Sequence, residues 1–164
     1  MGDGAIWEAT HRCTDATQRL SVLRQLVEVH HADINIEMGL VLHWACYNGH
    51  ADMVGYISMQ WDIRIIYATS EKQLSPLHVA CQKGSVDVVR QLLSQSDIQV
   101  SLADQDGWTP IRYACQMGCV DVVRQLLSCA GIQVNPADQD GPTPSFGLVK
   151  WASLLWRIIF GRPS

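Results

Sequence analysis

The side chains of this sequence that could do chemistry are mainly cysteines and histidines. The six cysteines are Cys13, Cys46, Cys81, Cys115, Cys119 and Cys129. An even number of cysteines is compatible with disulfides in a secreted protein. However, the chain starts Met-Gly-Asp-Gly-Ala-Ile, without the basic residues and the apolar stretch of a signal peptide. We therefore expect reduced thiols in an intracellular, cytoplasmic protein.

Two pairs of residues could suggest a metal ion. Cys115 and Cys119 are four residues apart, but nothing nearby in the sequence supplies the two further ligands that zinc needs. His30 and His31 are adjacent, and adjacent side chains do not point the same way on a helix. Neither pair therefore predicts a metal site.

The acidic stretch from Asp104 to Gly107 resembles the beginning of a calcium-binding loop. It lacks the later ligands and the closing Glu of such a loop, and a tight turn explains its residues. A Gly-rich phosphate loop and the motifs G-x-S-x-G and H-E-x-x-H are also missing from the sequence. We therefore predict a protein that is not an enzyme and uses no cofactor or metal.

The composition narrows the class of protein further. The chain has 164 residues, of which 48% are apolar and 17% are charged, and its net charge is −4. Such a mixture is typical of a folded protein and disfavours a disordered or fibrous chain. The acidic balance disfavours a general nucleic-acid binder. No apolar run reaches the roughly 20 residues of a membrane span.

Internal repetition is the strongest signal in the sequence. Residues 76–105 can be laid on residues 110–139 with a step of 34 residues, and nine consecutive residues from Val86 match without a change. Upstream, Leu42–Gly49 aligns with the first block at a step of 35 residues. A fainter copy covers about residues 8–36. A period of this length indicates stacked copies of one supersecondary unit rather than a single compact core.

Each unit is predicted to contain two short helices and a reverse turn. Thr109 and Pro110 suit a helix start, because the hydroxyl caps the helix and proline fits its first position. Gly118 suits the left-handed residue that ends this helix. The stretch from Asp104 to Gly107 has the composition of a tight turn. The apolar face of the second helix is expected to carry Val120, Val123, Leu126 and Leu127.

With these features the chain resembles the ankyrin repeat family, whose units combine an Asp-Gly turn with the motif T-P-L-H-x-A. The resemblance rests on Ser75–Ala80 and Asp104–Ala114. It implies an all-α solenoid of helix-turn-helix repeats joined by short β-hairpin-like turns and ending in an atypical C-terminal helix. The array is predicted to span residues 1–145, with units at about 8–36, 40–66, 75–101 and 109–135 and the start of a fifth at 143.

Some positions depart from the family pattern. Arg112 replaces the His of the motif, and Val41 replaces its Pro. The connection from Ile34 to His43 is shorter than its counterpart further along the chain, so we expect a shortened turn there. The resemblance implies that His43 and His78 are structural and bond to backbone groups within the stack.

Three cysteines hold the same place in successive first helices, namely Cys46, Cys81 and Cys115. A small side chain at this place lets helices pack closely. Equivalent atoms of neighbouring repeats lie on the order of 10 Å apart, the spacing of packed helices. Since a disulfide needs α-carbons within about 7 Å, the repeat favours free thiols.

The resemblance implies that a partner meets the concave face, which turn tips and first helices build. The protein-binding residues predicted on this face are Tyr47, Asn48, Lys72, Leu74, Gln82, Lys83, Gln105, Asp106, Trp108, Gln116 and Met117. Trp108 either provides an aromatic anchor for the partner or folds down onto its own repeat. Trp44 and Tyr113 are expected in the core. The predicted function is a non-enzymatic adaptor or scaffold for a protein partner.

The segment 146–164 breaks the repeat pattern. Residues 146–160 combine a broad apolar side with a narrow polar strip, and from Lys150 onward the segment has three basic and no acidic residues. One interpretation is a capping helix with surplus apolar surface. An alternative is a weak membrane or self-association contact, as in a peripheral membrane or assembly factor. A tail without a place in the stack is the third interpretation.

Overall fold

The computed structural model describes residues 12–13, 15–30, 34–60, 73–96 and 98–132, and the regular elements in these ranges are all helices. The helices are α1 (Ala16–His30), α2 (Ile34–Asn48), α3 (Ala51–Gln60), α4 (Pro76–Lys83), α5 (Val86–Leu93), α6 (Pro110–Met117) and α7 (Val120–Leu127). The chain is thus an all-helical repeat protein, as predicted. The predicted C-terminal helix at 146–164 and the fifth unit lie outside the described residues.

The helices pack as two layers of a stack. The first helices α2, α4 and α6 pack side by side, and so do the second helices α3, α5 and α7. Within each unit the first helix also packs on the second, and α1 packs on α3. A single pair of helices cannot bury its apolar face alone, so each unit depends on its neighbours.

The core follows the repeat. Equivalent positions of successive units are fully buried, such as Leu77 and Ile111 in the first helices and Leu92 and Leu126 in the second helices. The thiol-bearing position behaves in the same way, because Cys46, Cys81 and Cys115 are all buried. Small residues at this position allow α2, α4 and α6 to approach each other. No helix within the described ranges is long and apolar enough to cross a membrane.

Glycines end the first helices as predicted. Gly84 and Gly118 have φ angles of 69° and 72° and donate their backbone N–H groups to carbonyls of the preceding turn. This left-handed conformation costs a residue with a side chain about 1–2 kcal/mol, and glycine avoids that cost. Each second helix can therefore start immediately after the first one ends.

The chain between α1 and α3 differs from the prediction. Instead of a shortened turn followed by a helix near His43, one continuous helix, α2, runs from Ile34 to Asn48. The reason is local, since Leu40 and Val41 occupy the places of the Ser-Pro pair that starts α4. Without a capping hydroxyl or a proline, nothing stops the helix from extending toward the N-terminus.

Two further expectations about helix residues are wrong. Thr109 precedes α6, but its hydroxyl makes no capping bond and lies buried without a hydrogen-bond partner among the described residues. Arg112 holds the position that His78, the capping partner of Ser75, has in α4, and the Arg112 guanidinium lies over the Trp108 ring. Val120 was expected on the apolar face of α7, yet it is 38% exposed, and Val122 is buried in its stead.

Candidate protein-binding surface

A row across the stack is formed by the last two residues of each first helix, α2, α4 and α6. We call this set the helix-end row, and its members are Tyr47, Asn48, Gln82, Lys83, Gln116 and Met117. Their positions are related by the repeat steps of 35 and 34 residues, so equivalent members lie side by side on packed helices. All six belong to the predicted binding residues, and the fold brings them to one edge of the first-helix layer.

The helix-end row combines exposed apolar and polar groups. Tyr47 is 56% exposed and Met117 is 57% exposed, and both lie in the same row. Lys83 and Gln116 are also exposed, whereas Gln82 is half-buried. The apolar members are therefore accessible to a partner, and polar groups surround them.

Within the row, Tyr47 and Lys83 contact each other across two repeats. The Lys83 Nζ atom lies 3.6 Å from the centroid of the Tyr47 ring, so the ammonium group sits on the negative face of the ring. This contact joins the end of α2 to the end of α4. The sequence analysis did not predict this contact, because the two residues are 36 positions apart and hold non-equivalent places in their units.

The turn before α6 forms a tight finger. The backbone N–H of Gly107 donates to the Asp104 carbonyl at 3.0 Å, and the backbone N–H of Asp104 donates to the Trp108 carbonyl at 2.9 Å. One carboxylate oxygen of Asp104 also accepts from the backbone N–H groups of Asp106 and Trp108, at 2.9 and 2.7 Å. Gln105 and Asp106, two of the predicted binding residues, are exposed at the tip of this finger.

Trp108 lies on its own repeat. Its ring centroid is 5.3 Å from that of Tyr113, and the Arg112 guanidinium lies 4.1 Å from it. The side chain is half-buried. Moreover, Trp108 precedes α6 whereas Met117 ends it, so about 12 Å of helix separates them. Trp108 therefore does not join the exposed side chains of the helix-end row.

Two hydrogen bonds tie this finger to the rest of the stack. The Nε2 atom of His78 lies 2.9 Å from the Trp108 carbonyl, across the boundary between two units. The Tyr113 hydroxyl donates to the second carboxylate oxygen of Asp104 at 2.8 Å. Burial and the neighbouring carboxylate raise the pKa of Tyr113, so its hydroxyl stays protonated and keeps donating. The finger is thus held rigidly in front of α6.

His43 connects the preceding units in a similar way. Its two ring nitrogens lie 2.8 Å from the carbonyl oxygens of Gly39 and Leu74. Both His43 and His78 are buried and bond to backbone carbonyls, which agrees with their expected structural role. Leu74, a predicted binding residue, is half-buried and serves the stack through its carbonyl. Lys72, another predicted binding residue, lies outside the described residues.

Leu40 and Met59 are exposed large residues that the sequence analysis did not single out. Leu40 is 61% exposed and Met59 is 83% exposed. Leu40 takes the position that the capping residue Ser75 has before α4, but it lies within the continuous helix α2, and its side chain is exposed whereas Ser75 is buried. A Leu at that position was the signal that could have revealed it.

The buried thiols are not reactive groups. Burial raises the pKa of Cys46 and Cys81 far above the ordinary value of a thiol and raises that of Cys115 to about 12. Nucleophilic and metal-binding chemistry needs the thiolate, which burial disfavours at these positions. In the part of the chain that the structure describes, no group of three His, Cys, Asp or Glu side chains could hold a metal ion.

Comparison with known families agrees with the geometry. The family model described as ankyrin repeats in three copies matches residues 42–138, which is more than half of the chain. Among curated proteins, none matches the chain. The matched region contains α4 to α7, the finger before α6 and the whole helix-end row. The chain therefore belongs to the ankyrin repeat family.

Proposed function

We propose that this chain is a non-enzymatic adaptor or scaffold module that binds a protein partner through its helix-end row. Ankyrin repeats are generally protein–protein interaction modules. The observation that supports the helix-end row is the exposure of two large apolar side chains, Tyr47 and Met117, at the ends of packed helices. Exposed aromatic and Met side chains surrounded by polar groups are typical of interaction surfaces.

The rigidity of the row favours binding. Each helix end is followed by a left-handed glycine, and packing between α2, α4 and α6 restrains the row. A surface that is already in its bound conformation loses little conformational entropy on association. The finger tip, with Gln105 and Asp106 exposed, extends the proposed surface along α6. A partner can therefore contact consecutive repeats without ordering them first.

The proposal is tested by substitutions in the row and by a matched control outside it. Tyr47→Ala and Met117→Ala should each weaken capture of the partner, because truncating an anchoring side chain costs about 2 kcal/mol or more. Met59→Ala is the control, since Met59 is a methionine on the second-helix layer that is more exposed than Met117. Partners are compared by quantitative mass spectrometry after pull-down with the full chain.

Two results decide the outcome of this test. If partners are lost with Tyr47→Ala and Met117→Ala and retained with Met59→Ala, the row is the binding surface. If all three variants retain the same partners while circular dichroism shows an unchanged fold, the row is not the binding surface.

A further inference from the structure

We propose that the helix-end row recognises an acidic side chain of its partner at Lys83, in a peptide segment that also presents an apolar side chain to Met117. This inference rests on the proposed function, because it names the chemistry of the partner at the same surface. It follows from how the cations of the described region are paired.

The arginines of α5 and α7 have carboxylate partners. Lys83 has an aromatic partner, as do Arg24, which lies over Tyr56, and Arg112, which lies over Trp108. On α5, Arg90 forms an ion pair with Asp87 at 2.8 Å, and on α7, Arg124 lies 3.7 Å from Asp121. These pairs satisfy much of the cation's charge within the helix. Among the residues that the structure describes, no carboxylate lies within ion-pair distance of Lys83. The Lys83 ammonium group therefore remains able to bind an anion.

The Tyr47 ring positions this ammonium group without consuming its hydrogen bonds. A lysine ammonium has three N–H donors, and contact with a ring face leaves donors directed away from the ring. The 3.6 Å contact also restricts a side chain that would otherwise be highly mobile. When a carboxylate binds from solvent, less conformational entropy is lost, because the lysine side chain is already ordered.

The rest of the row adds no competing charge. Its other members are Tyr47, Asn48, Gln82, Gln116 and Met117, none of which is ionised at neutral pH. The acidic residues at the start of α5 and α7, Asp87 and Asp121, follow Lys83 and Met117 by four residues each, and each is paired with an arginine of its own helix. Lys83 is therefore the one charged member of the row, and charge complementarity favours an acidic side chain of the partner at this position.

The geometry also sets the spacing of the recognised side chains. Lys83 and Met117 hold equivalent positions on the packed helices α4 and α6, and packed helices are about 10 Å apart. An extended peptide rises about 3.3 Å per residue. An Asp or Glu that contacts Lys83 should therefore be about three residues from the apolar residue that contacts Met117.

The experiment uses a displayed library of random peptides and the immobilised full chain. The wild type should enrich peptides that carry Asp or Glu about three positions from an apolar residue, the separation that matches the spacing of packed helices. Lys83→Glu should lose these peptides and enrich Lys- or Arg-containing ones instead. Arg124→Glu is the matched control, because it reverses an exposed cation on the second-helix layer, and it should enrich the same peptides as the wild type.

An individual enriched peptide then gives the quantitative test, by fluorescence anisotropy. Lys83→Glu should weaken its binding about tenfold or more, and replacing the acidic residue of the peptide by Lys should restore binding to this variant. Circular dichroism of each variant checks that the fold is retained.

The outcomes separate this inference from the proposed function. If enriched peptides depend on Tyr47 and Met117 but show no acidic preference and bind Lys83→Glu unchanged, the inference is overturned while the proposed function stands. If no enriched peptide depends on any member of the row, both are overturned. Acidic enrichment that Lys83→Glu reverses supports the inference.

Discussion

His78 shows how one residue can join two repeats. Its Nδ1 atom accepts from the Ser75 backbone N–H at 3.0 Å, which places the ring proton on Nε2, and Nε2 donates to the Trp108 carbonyl at 2.9 Å. The neutral ring therefore satisfies both contacts at once. In the next unit Arg112 holds this position, and its guanidinium lies on Trp108.

The protonation of His78 makes the stability of the stack depend on pH. Burial lowers the pKa of His78 below its ordinary value of 6.5, because the charged ring is poorly solvated in the core. The unfolded chain then binds the proton more readily than the native one. The contribution of His78 to stability is therefore complete above about pH 7 and is lost as the pH falls through 6.5 toward the lowered pKa.

This effect can be isolated by replacing the histidine with a residue that does not titrate. We expect His78→Gln to be less stable than the wild type at neutral pH, by about 2 kcal/mol, and to show a shallower loss of stability between about pH 7 and about pH 5. Urea unfolding followed by circular dichroism at each pH measures both. Equal pH slopes for the variant and the wild type would show that another group is responsible, and His50, whose pKa burial also lowers, is the next candidate.

At the scale of the elements, the glycines that end α4 and α6 have different surroundings. Both are left-handed, with φ angles of 69° at Gly84 and 72° at Gly118. A Cβ atom added to Gly84 would lie 2.5 Å from the Cys119 Sγ atom of the next unit, whereas one added to Gly118 would have nothing within 4 Å. Gly84 therefore serves both the helix end and the contact between repeats.

The two glycines form a matched pair for mutation. Gly118→Ala should cost about 1 kcal/mol, the strain of a left-handed alanine. Gly84→Ala should cost about 1–3 kcal/mol more, because its methyl group collides with Cys119. Urea unfolding of both variants measures the difference. Adding Cys119→Ala should recover much of the extra loss, and a Gly84→Ala effect no larger than that of Gly118→Ala would contradict the close contact.

At the scale of the whole molecule, the middle helices of the described stack have neighbours on two sides, whereas the first and last described helices have fewer. The second helix α5 packs against both α3 and α7, whereas the described contacts of α1 are chiefly with α3. Leu92 on α5 and Leu23 on α1 are both fully buried. In a linear array, stability is approximately a sum of unit and neighbour terms, so the same cavity has different consequences at the two places.

Hydrogen exchange should reveal this difference. Leu92→Ala should cost about 2–5 kcal/mol and raise amide exchange in the helices on both sides of α5. Leu23→Ala creates a similar cavity, yet its effect should be confined largely to α1 and α3, leaving the protection of α6 and α7 near that of the wild type. A uniform rise of exchange across all helices in both variants would instead indicate a single cooperative unit.

The sequence alone identifies the repeat, the family, the two helices per unit and the glycines that end the first helices. These features depend on local chemistry, because a proline, a left-handed glycine or an apolar face of helical period acts within a few residues. The long α2 was missed, although its cause is also local: Leu40 and Val41 lack the signals that start a helix. The lack of a helix start at Leu40 and Val41 is visible in the sequence, but alignment with the other units favoured a turn before His43.

Only the tertiary structure determines the contacts between units. Trp108 packs on its own repeat through its contacts with Tyr113 and Arg112. The Thr109 hydroxyl has no partner among the described residues, and the Arg112 backbone N–H donates to the Thr109 carbonyl. The Lys83–Tyr47 contact depends on how far the ends of α2 and α4 are offset. A repeat pattern specifies which positions are equivalent, but the side chains that meet across a boundary are set by packing distances of a few ångströms. The chemistry of the proposed surface therefore follows from the stack and not from any single unit.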